Sequence, residues 1–232
     1  MSYNITFNNI SSESKGLAVV QRPNTPAPEL LYEPWEIPGR DGVLMPADKT
    51  YTPMEFPIVF NFMASDPDAW GSVYRGARQW LLGASPGAKL ILSDDDDYYY
   101  KVYAVRVEET ERQSRLIGAF TAIFICDPYN YLVSGETSIS NPTSITNDYA
   151  LCHPLYYVNA SGSWTLTVNS KTFTGTGKTY IDTDKQIAYN SSNVLVNTST
   201  AGKFEDLYLK PGSNTINLSS GSLTMTPNWR SL

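Results

Sequence analysis

His153 is the only histidine in 232 residues, so a Ser-His-Asp or Cys-His catalyst would have to be built around it. It follows Cys152 directly and precedes Pro154. Adjacent side chains on an extended backbone diverge, which places the thiol badly for activation by the ring, so a structural or solvated histidine is expected. The count alone excludes a histidine-rich metal centre. Paired carboxylates can hydrolyse a glycosidic bond without histidine, and Asp182 with Asp184, or Glu205 with Asp206, are the candidates. The first pair lies in YIDTDKQ, which reads as a turn between strands, and aspartate favours turns by bonding its own backbone. The run Thr174-Gly175-Thr176-Gly177-Lys178 lacks the strand-loop-helix context of a phosphate loop and reads as a flexible hairpin. No residue is therefore assigned to catalysis, a cofactor or a metal, and no enzyme activity is expected.

The most conspicuous polar stretch is LSDDDDYYYKVYAV, in which Asp94 to Asp97 run into three tyrosines. Side chains of successive extended residues point to opposite faces, so four adjacent aspartates converge on one ion only if the backbone bends sharply. A calcium loop needs spaced acids, a glycine at the tight turn and a closing glutamate, and none of that pattern is present. The expected structure is a solvated hairpin tip whose return strand opens with the tyrosines.

The elements that would carry these residues are mostly strands. Tyr3, Ile5 and Phe7 alternate with period two, as do Met54, Phe56, Ile58, Phe60 and Phe62. Between them seven prolines, from Pro23 and Pro34 to Pro46 and Pro53, leave short strands and extended loops. One helix is expected in SDPDAWGSVYRGARQWLLGAS. Ser65 or Asp66 would cap it, Pro67 suits its first turn, and Gly83 would end it in a left-handed conformation. Its stripe of Trp70, Val73, Tyr74, Ala77, Trp80 and Leu81 has core spacing. The run from Leu116 to Cys126 is apolar on both alternating faces, so it needs the helix on one side and a second cover, such as another subunit, on the other.

After Tyr131 the composition turns to Ser, Thr and Asn, and the domain boundary is placed at 133/134. The stretch 134–150 reads as a linker or a first peripheral strand. Short alternating runs follow, among them Trp164 to Val168, Tyr180 to Thr183, Val194 to Val196, Phe204 to Leu209 and Leu223 to Met225, separated by turn signals. The pattern predicts an antiparallel sandwich over 134–232. Its aromatic residues, Tyr156, Tyr157, Trp164, Tyr180, Tyr189, Tyr208 and Trp229, would be core or a sugar-stacking platform. The net charge of −6 sits in the front of the chain: residues 1–132 carry 11 Lys and Arg against 17 Asp and Glu, and residues 133–232 carry six of each. Affinity for nucleic acid is not expected. Cys126 and Cys152 have no metal-ligand spacing and read as small buried hydrophobes. MSYNITFNNISSESKG lacks the basic head and apolar stretch of a secretory signal, which implies folding in a cytoplasm, and no apolar run is long enough to span a bilayer.

Taken in order, WEIPGRDGVL, MEFPIVFNF, ARQWLLG, the acidic hairpin with YYYKVYAVRV, and GAFTAIFICDPYNYL resemble the distal tail proteins (Dit) of siphophages. KTYIDTDKQIAYNSSNVLVN and KFEDLYLKPGSNTINL resemble that family's second domain. The resemblance implies a mainly β chain, with a sandwich or barrel-like ring-forming belt domain with one helix over 1–133 and a galectin-like antiparallel sandwich over 134–232. It also implies a homo-hexameric ring at the baseplate hub of the virion, assembled in the host cytoplasm. Such a ring joins the tail tube protein to the tail-associated hub protein, and in some phages the outer domain holds receptor-binding proteins. No large insertion interrupts the second domain, so the extended arm of some members is expected to be missing. In IPGRDG, Pro38-Gly39 suits a type II turn and Asp41-Gly42 a tight turn that presents Arg40. Gly39, Arg40, Asp41 and Gly42 are the expected contact with the adjacent subunit, where Arg40 would meet an acidic group. An acidic first domain lining the channel would let DNA pass without binding it. The rival reading is a carbohydrate-binding tail or cell-surface module for host adhesion.

Overall fold

The computed structural model describes residues 3–31, 35–44 and 50–232; Pro34 and Pro46 of the sequence argument fall outside these. The chain divides into two compact units, 1–130 with Leu232, and 131–231.

The first unit contains, in chain order, β1 (Ile5–Phe7), β2 (Ile10–Ser11), β3 (Leu17–Val19), β4 (Leu30–Leu31), β5 (Trp35–Glu36), β6 (Val43–Leu44), β7 (Thr50–Tyr51) and β8 (Met54–Met63). Helix α1 (Trp70–Leu82) and strands β9 (Ala88–Leu92), β10 (Asp95–Val107) and β11 (Ile117–Leu132) complete it. The main sheet runs β2-β1-β9-β10-β11-β8-β3, and its long antiparallel pair, β8 with β11, is in register from Met54↔Cys126 to Met63↔Ile117. That register settles which residues face inward. Met54, Phe56, Ile58, Phe60 and Phe62 pack with Phe120, Ala122, Phe124 and Cys126 in the core. Helix α1 covers this face with Ala77, Trp80 and Leu81, all buried, while Trp70, Val73 and Tyr74 lie half-buried against it. Trp80 Nε1 donates to the Phe7 carbonyl at 3.2 Å, tying the helix to β1.

The helix ends differ from the sequence expectation. Asp66 accepts from the amides of Asp68 and Ala69, at 2.9 and 2.8 Å, so it caps the turn that leads into α1, and the helix itself begins at Trp70. Gly83 is right-handed, with φ −86°; its amide donates to Gln79 O, and a Cβ there would stand 2.5 Å from that carbonyl. Close approach, not positive φ, is what a glycine serves here.

The second unit is a sandwich. Strands β12 (Ile139–Ser140), β13 (Ser144–Asn147), β14 (Leu155–Asn159), β15 (Ser163–Val168) and β16 (Lys171–Thr176) are followed by β17 (Thr179–Asp182), β18 (Ile187–Tyr189), β19 (Gly212–Leu218), β20 (Ser222–Thr226) and β21 (Arg230–Ser231). One sheet is β12-β20-β14-β17-β18 and the other β13-β19-β15-β16. Tyr156, Val158, Ile181 and Met225 from the first meet Trp164, Leu166, Phe173 and Ile216 from the second in one core. The Ser, Thr and Asn-rich stretch supplies the edge strands β12 and β13. Three expectations are corrected. Phe204–Leu207 is a 3-10 turn that buries Leu207, and Leu195 of the 194–196 run makes only an isolated bridge to Tyr189. Within the 174–178 run, 174–176 end β16 and Gly177 and Lys178 cross to the other sheet instead of closing a hairpin; Gly177, at φ 72°, donates its amide to Gly162 O while its carbonyl accepts from Trp164 Nε1.

Candidate assembly surfaces

Residues of β8 and β11 that alternate with the core set form the opposite face of the sheet. Adding β3 by its own register, Ala18↔Asn61 and Val19↔Phe60, gives a grid of Ala18, Val20, Pro57, Val59, Met63, Ile117, Ala119, Ile123 and Ile125. It is apolar apart from Glu55, Asn61 and Thr121, and it spans about 27 Å along the strands and about 10 Å across them. Ala119 and Ile123 are buried by the chain itself without joining the main core, so the double cover expected for this strand is partly internal. Met63, at 72% exposure, Val20, at 51%, and Ile117 face solvent. An exposed apolar row of this kind makes the face a candidate interaction surface. The two-sided apolar pattern of 116–126 reveals this face on β11; on β8 the same signal lies in Pro57, Val59 and Met63, which alternate with the core residues and are hidden by the stronger alternation of the buried set.

The segment around Gly39 to Gly42 is a hairpin. Strands β5 and β6 pair Glu36↔Val43, and the Arg40 amide donates to Ile37 O at 3.1 Å across Pro38 and Gly39. Gly39 has φ 82° and Gly42 φ 79°, which is the backbone demand that places glycine at both positions. Arg40 and Asp41 are exposed, and the loop carries the exposed Ile37 beside them.

The acidic run is a hairpin tip, tighter than expected. Ser93 and Asp94 make the turn, while Asp95 to Asp97 lie on β10, where the register slips between Asp95↔Leu92 and Tyr100↔Leu90. The Asp94 carboxylate accepts from Tyr3 OH at 2.6 Å and pairs with the Arg22 guanidinium. Those bonds, from Tyr3 first and Arg22 second, hold its pKa below the usual carboxylate range. Among the described residues no group of three His, Cys, Asp or Glu side chains could hold a metal ion.

In the second unit His153 has the geometry of half a triad, with its working nitrogen blocked. Nδ1 lies 3.0 Å from Asp184 Oδ1, and Nε2 lies 3.0 Å from Arg230 Nη2. A guanidinium only donates, so Nε2 is the acceptor and the ring proton sits on Nδ1, facing Asp184. The lone pair that a general base would use is occupied by a buried arginine, which also donates from Nε to Leu151 O at 2.6 Å. Tyr208 stacks on the ring at 4.1 Å. Asp182 is separately engaged, capping Lys185 N at 3.0 Å and pairing with Lys185 Nζ at 2.9 Å, so Asp182 and Asp184 do different structural jobs. Cys126 and Cys152 are buried thiols, and burial pushes the pKa of each upward, away from thiolate.

The aromatic residues sort clearly. Tyr156 and Trp164 are core, whereas Tyr157, Tyr180 and Tyr189 are half-buried on the outer face, directly opposite one another across β14, β17 and β18. Their rings stack at 4.4 and 5.2 Å. The middle ring, Tyr180, is thus stacked between the other two.

No family model matches the chain, and no curated protein matches it in sequence. Solved structures do match in shape over the whole length. The Dit protein of phage SPP1, described as a paradigm of the hub adsorption apparatus in phages that infect Gram-positive bacteria, is 13% identical with a TM-score of 0.64, covering 97% of this chain and 98% of that one. A chain of the phage p2 baseplate in its activated conformation with calcium is 9% identical with a TM-score of 0.54, covering 100% and 98%. A second p2 baseplate, with strontium, matches at 11% and 0.56, covering 97% of each chain. The chain thus shares the mainly β fold of the phage distal tail proteins, as the sequence resemblance implied.

Proposed function

We propose that this protein is a structural component of a phage baseplate hub, with no catalytic task. The observation that carries the reading is the apolar outer face of β3, β8 and β11 on a chain that shares the distal tail fold from end to end. In this reading residues 1–133 close a homo-hexameric ring through interfaces that repeat by rotation, and copies of the chain cover Val20, Met63 and Ile117. The hairpin at Gly39, Arg40, Asp41 and Gly42 touches the adjacent subunit, with Arg40 on an acid. The ring joins tail tube to tail-associated hub protein in the virion, residues 134–232 form a galectin-like peripheral domain that in some baseplates bears receptor-binding proteins, and DNA passes through without specific contact. Electron microscopy and native mass spectrometry of concentrated protein test this. Six-membered rings are expected. Met63→Glu should abolish them with little effect on folding, since the side chain is exposed in the single chain. Arg40→Ala should make rings dissociate more readily on dilution. A strict monomer at high concentration that binds glycans would overturn the reading in favour of an adhesion module.

A further inference from the structure

The acidic tip is built into the root of the segment that carries the proposed contact hairpin. Its described parts, residues 21–31, 35–44 and 50–53, follow Val20, whose amide makes a ladder bond to Val59 O. From there the chain reaches the β9–β10 tip. Arg22 pairs with Asp94, 72 residues away, Pro23 is buried, and Thr25 hydrogen-bonds Tyr100, which packs on Phe56 at 4.5 Å. Tyr3 of the N-terminal segment donates to the same Asp94 carboxylate. One carboxylate thereby ties together the segment before β1, the β9–β10 turn and the departing arm.

We propose that Asp94 is a positioning residue for assembly: with Arg22 and Tyr3 it latches the chain where it leaves the sheet at residues 21–25, so that the contact hairpin farther along is presented in one orientation. The proposal rests on the ring reading above. The pair is half-exposed, so its strength is that of a surface ion pair reinforced by the phenol, enough to bias an orientation and not enough to hold the fold. The groups that face Asp94 are Tyr3 and Arg22, and the neighbouring Asp95 acts on the Tyr3 phenol, whose pKa it helps raise. Because its pKa in the folded chain is depressed, the latch is present at neutral pH and is lost only as pH falls through that lowered range.

Hydrogen exchange on the full chain, kept dilute, tests the latch apart from assembly. Asp94→Asn preserves shape and removes charge, and peptides spanning the arm root should exchange about two- to five-fold faster than wild type. The advantage of wild type should vanish in acid once Asp94 is protonated. Arg22→Asp and Asp94→Arg should each loosen the root, and the double swap should restore protection, which a merely structural effect of either residue would not produce. Ring dissociation should move to about two- to five-fold higher concentration per interface in Asp94→Asn. Equal exchange in wild type and Asp94→Asn overturns the latch, as does failure of the double swap to rescue. If wild type forms no rings at any concentration, the ring reading fails, while the exchange comparison still decides whether Asp94 holds the arm.

Discussion

Gly118 sits on β11 directly opposite Phe62 of β8, and the absence of a side chain there makes the slot that two aromatic rings fill. A Cβ at this position would lie 2.4 Å from Phe62 Cζ and 2.9 Å from Trp70 Cζ2. To regain an ordinary carbon contact of ~3.5 Å the Phe62 ring must retreat about 1 Å. It has little room, because Trp70, Tyr74 and Phe120 surround it at centroid distances of 5.3, 6.3 and 6.3 Å. Overpacking of this kind costs about 1–3 kcal/mol, and replacing a strand glycine by alanine returns roughly 0.5–1 kcal/mol of backbone entropy. Gly118→Ala should therefore lose about 1–2 kcal/mol net, a fall in melting temperature of about 3–10 °C for a unit of this size. Circular dichroism measures the fall, and hydrogen exchange should place it in the first unit, leaving the core around Trp164 unchanged. Shortening the crowded ring, as in Gly118→Ala with Phe62→Leu, should cost less than the sum of the two single changes by about 1 kcal/mol. A melting temperature unchanged within about 1 °C, or strict additivity in the double variant, would refute the account of this slot.

Two further outcomes follow from local geometry. Gly83→Ala and Gly83→Asn should both destabilise, by roughly 1 kcal/mol, because the clash is with the Gln79 carbonyl. Asparagine would be the tolerated substitute only if the position were left-handed, so thermal melts in which Asn matches glycine would contradict the geometry. Cys126 and Cys152 should resist a thiol reagent at pH 8 in the native protein, since burial raises both thiols above their ordinary range, and should react fully in denaturant. Rapid native labelling would show that one of them opens to solvent.

Much of this protein follows from local pattern. Period-two alternation in MEFPIVFNF and GAFTAIFIC marks strands whatever their partners, because burial on a pleated strand is a property of neighbouring residues. The stripe from Trp70 to Leu81, the tight turn at Pro38-Gly39 and the solvated character of Asp94 to Asp97 have the same origin. The solitary histidine and the scattered acids already argued against catalysis, on inventory alone. Only the tertiary structure decided the rest, because each case depends on pairing between distant segments. The register of β8 on β11 aligned Met63 with Ile117 and made one apolar face out of two unremarkable alternations. The meeting of residues 22 and 94 turned an acidic loop into an anchor, and that of residues 153 and 230 closed the one nitrogen that could have served as a base. Side-chain chemistry is written residue by residue, but which donor meets which acceptor is set by the order of strands, and that order is long-range.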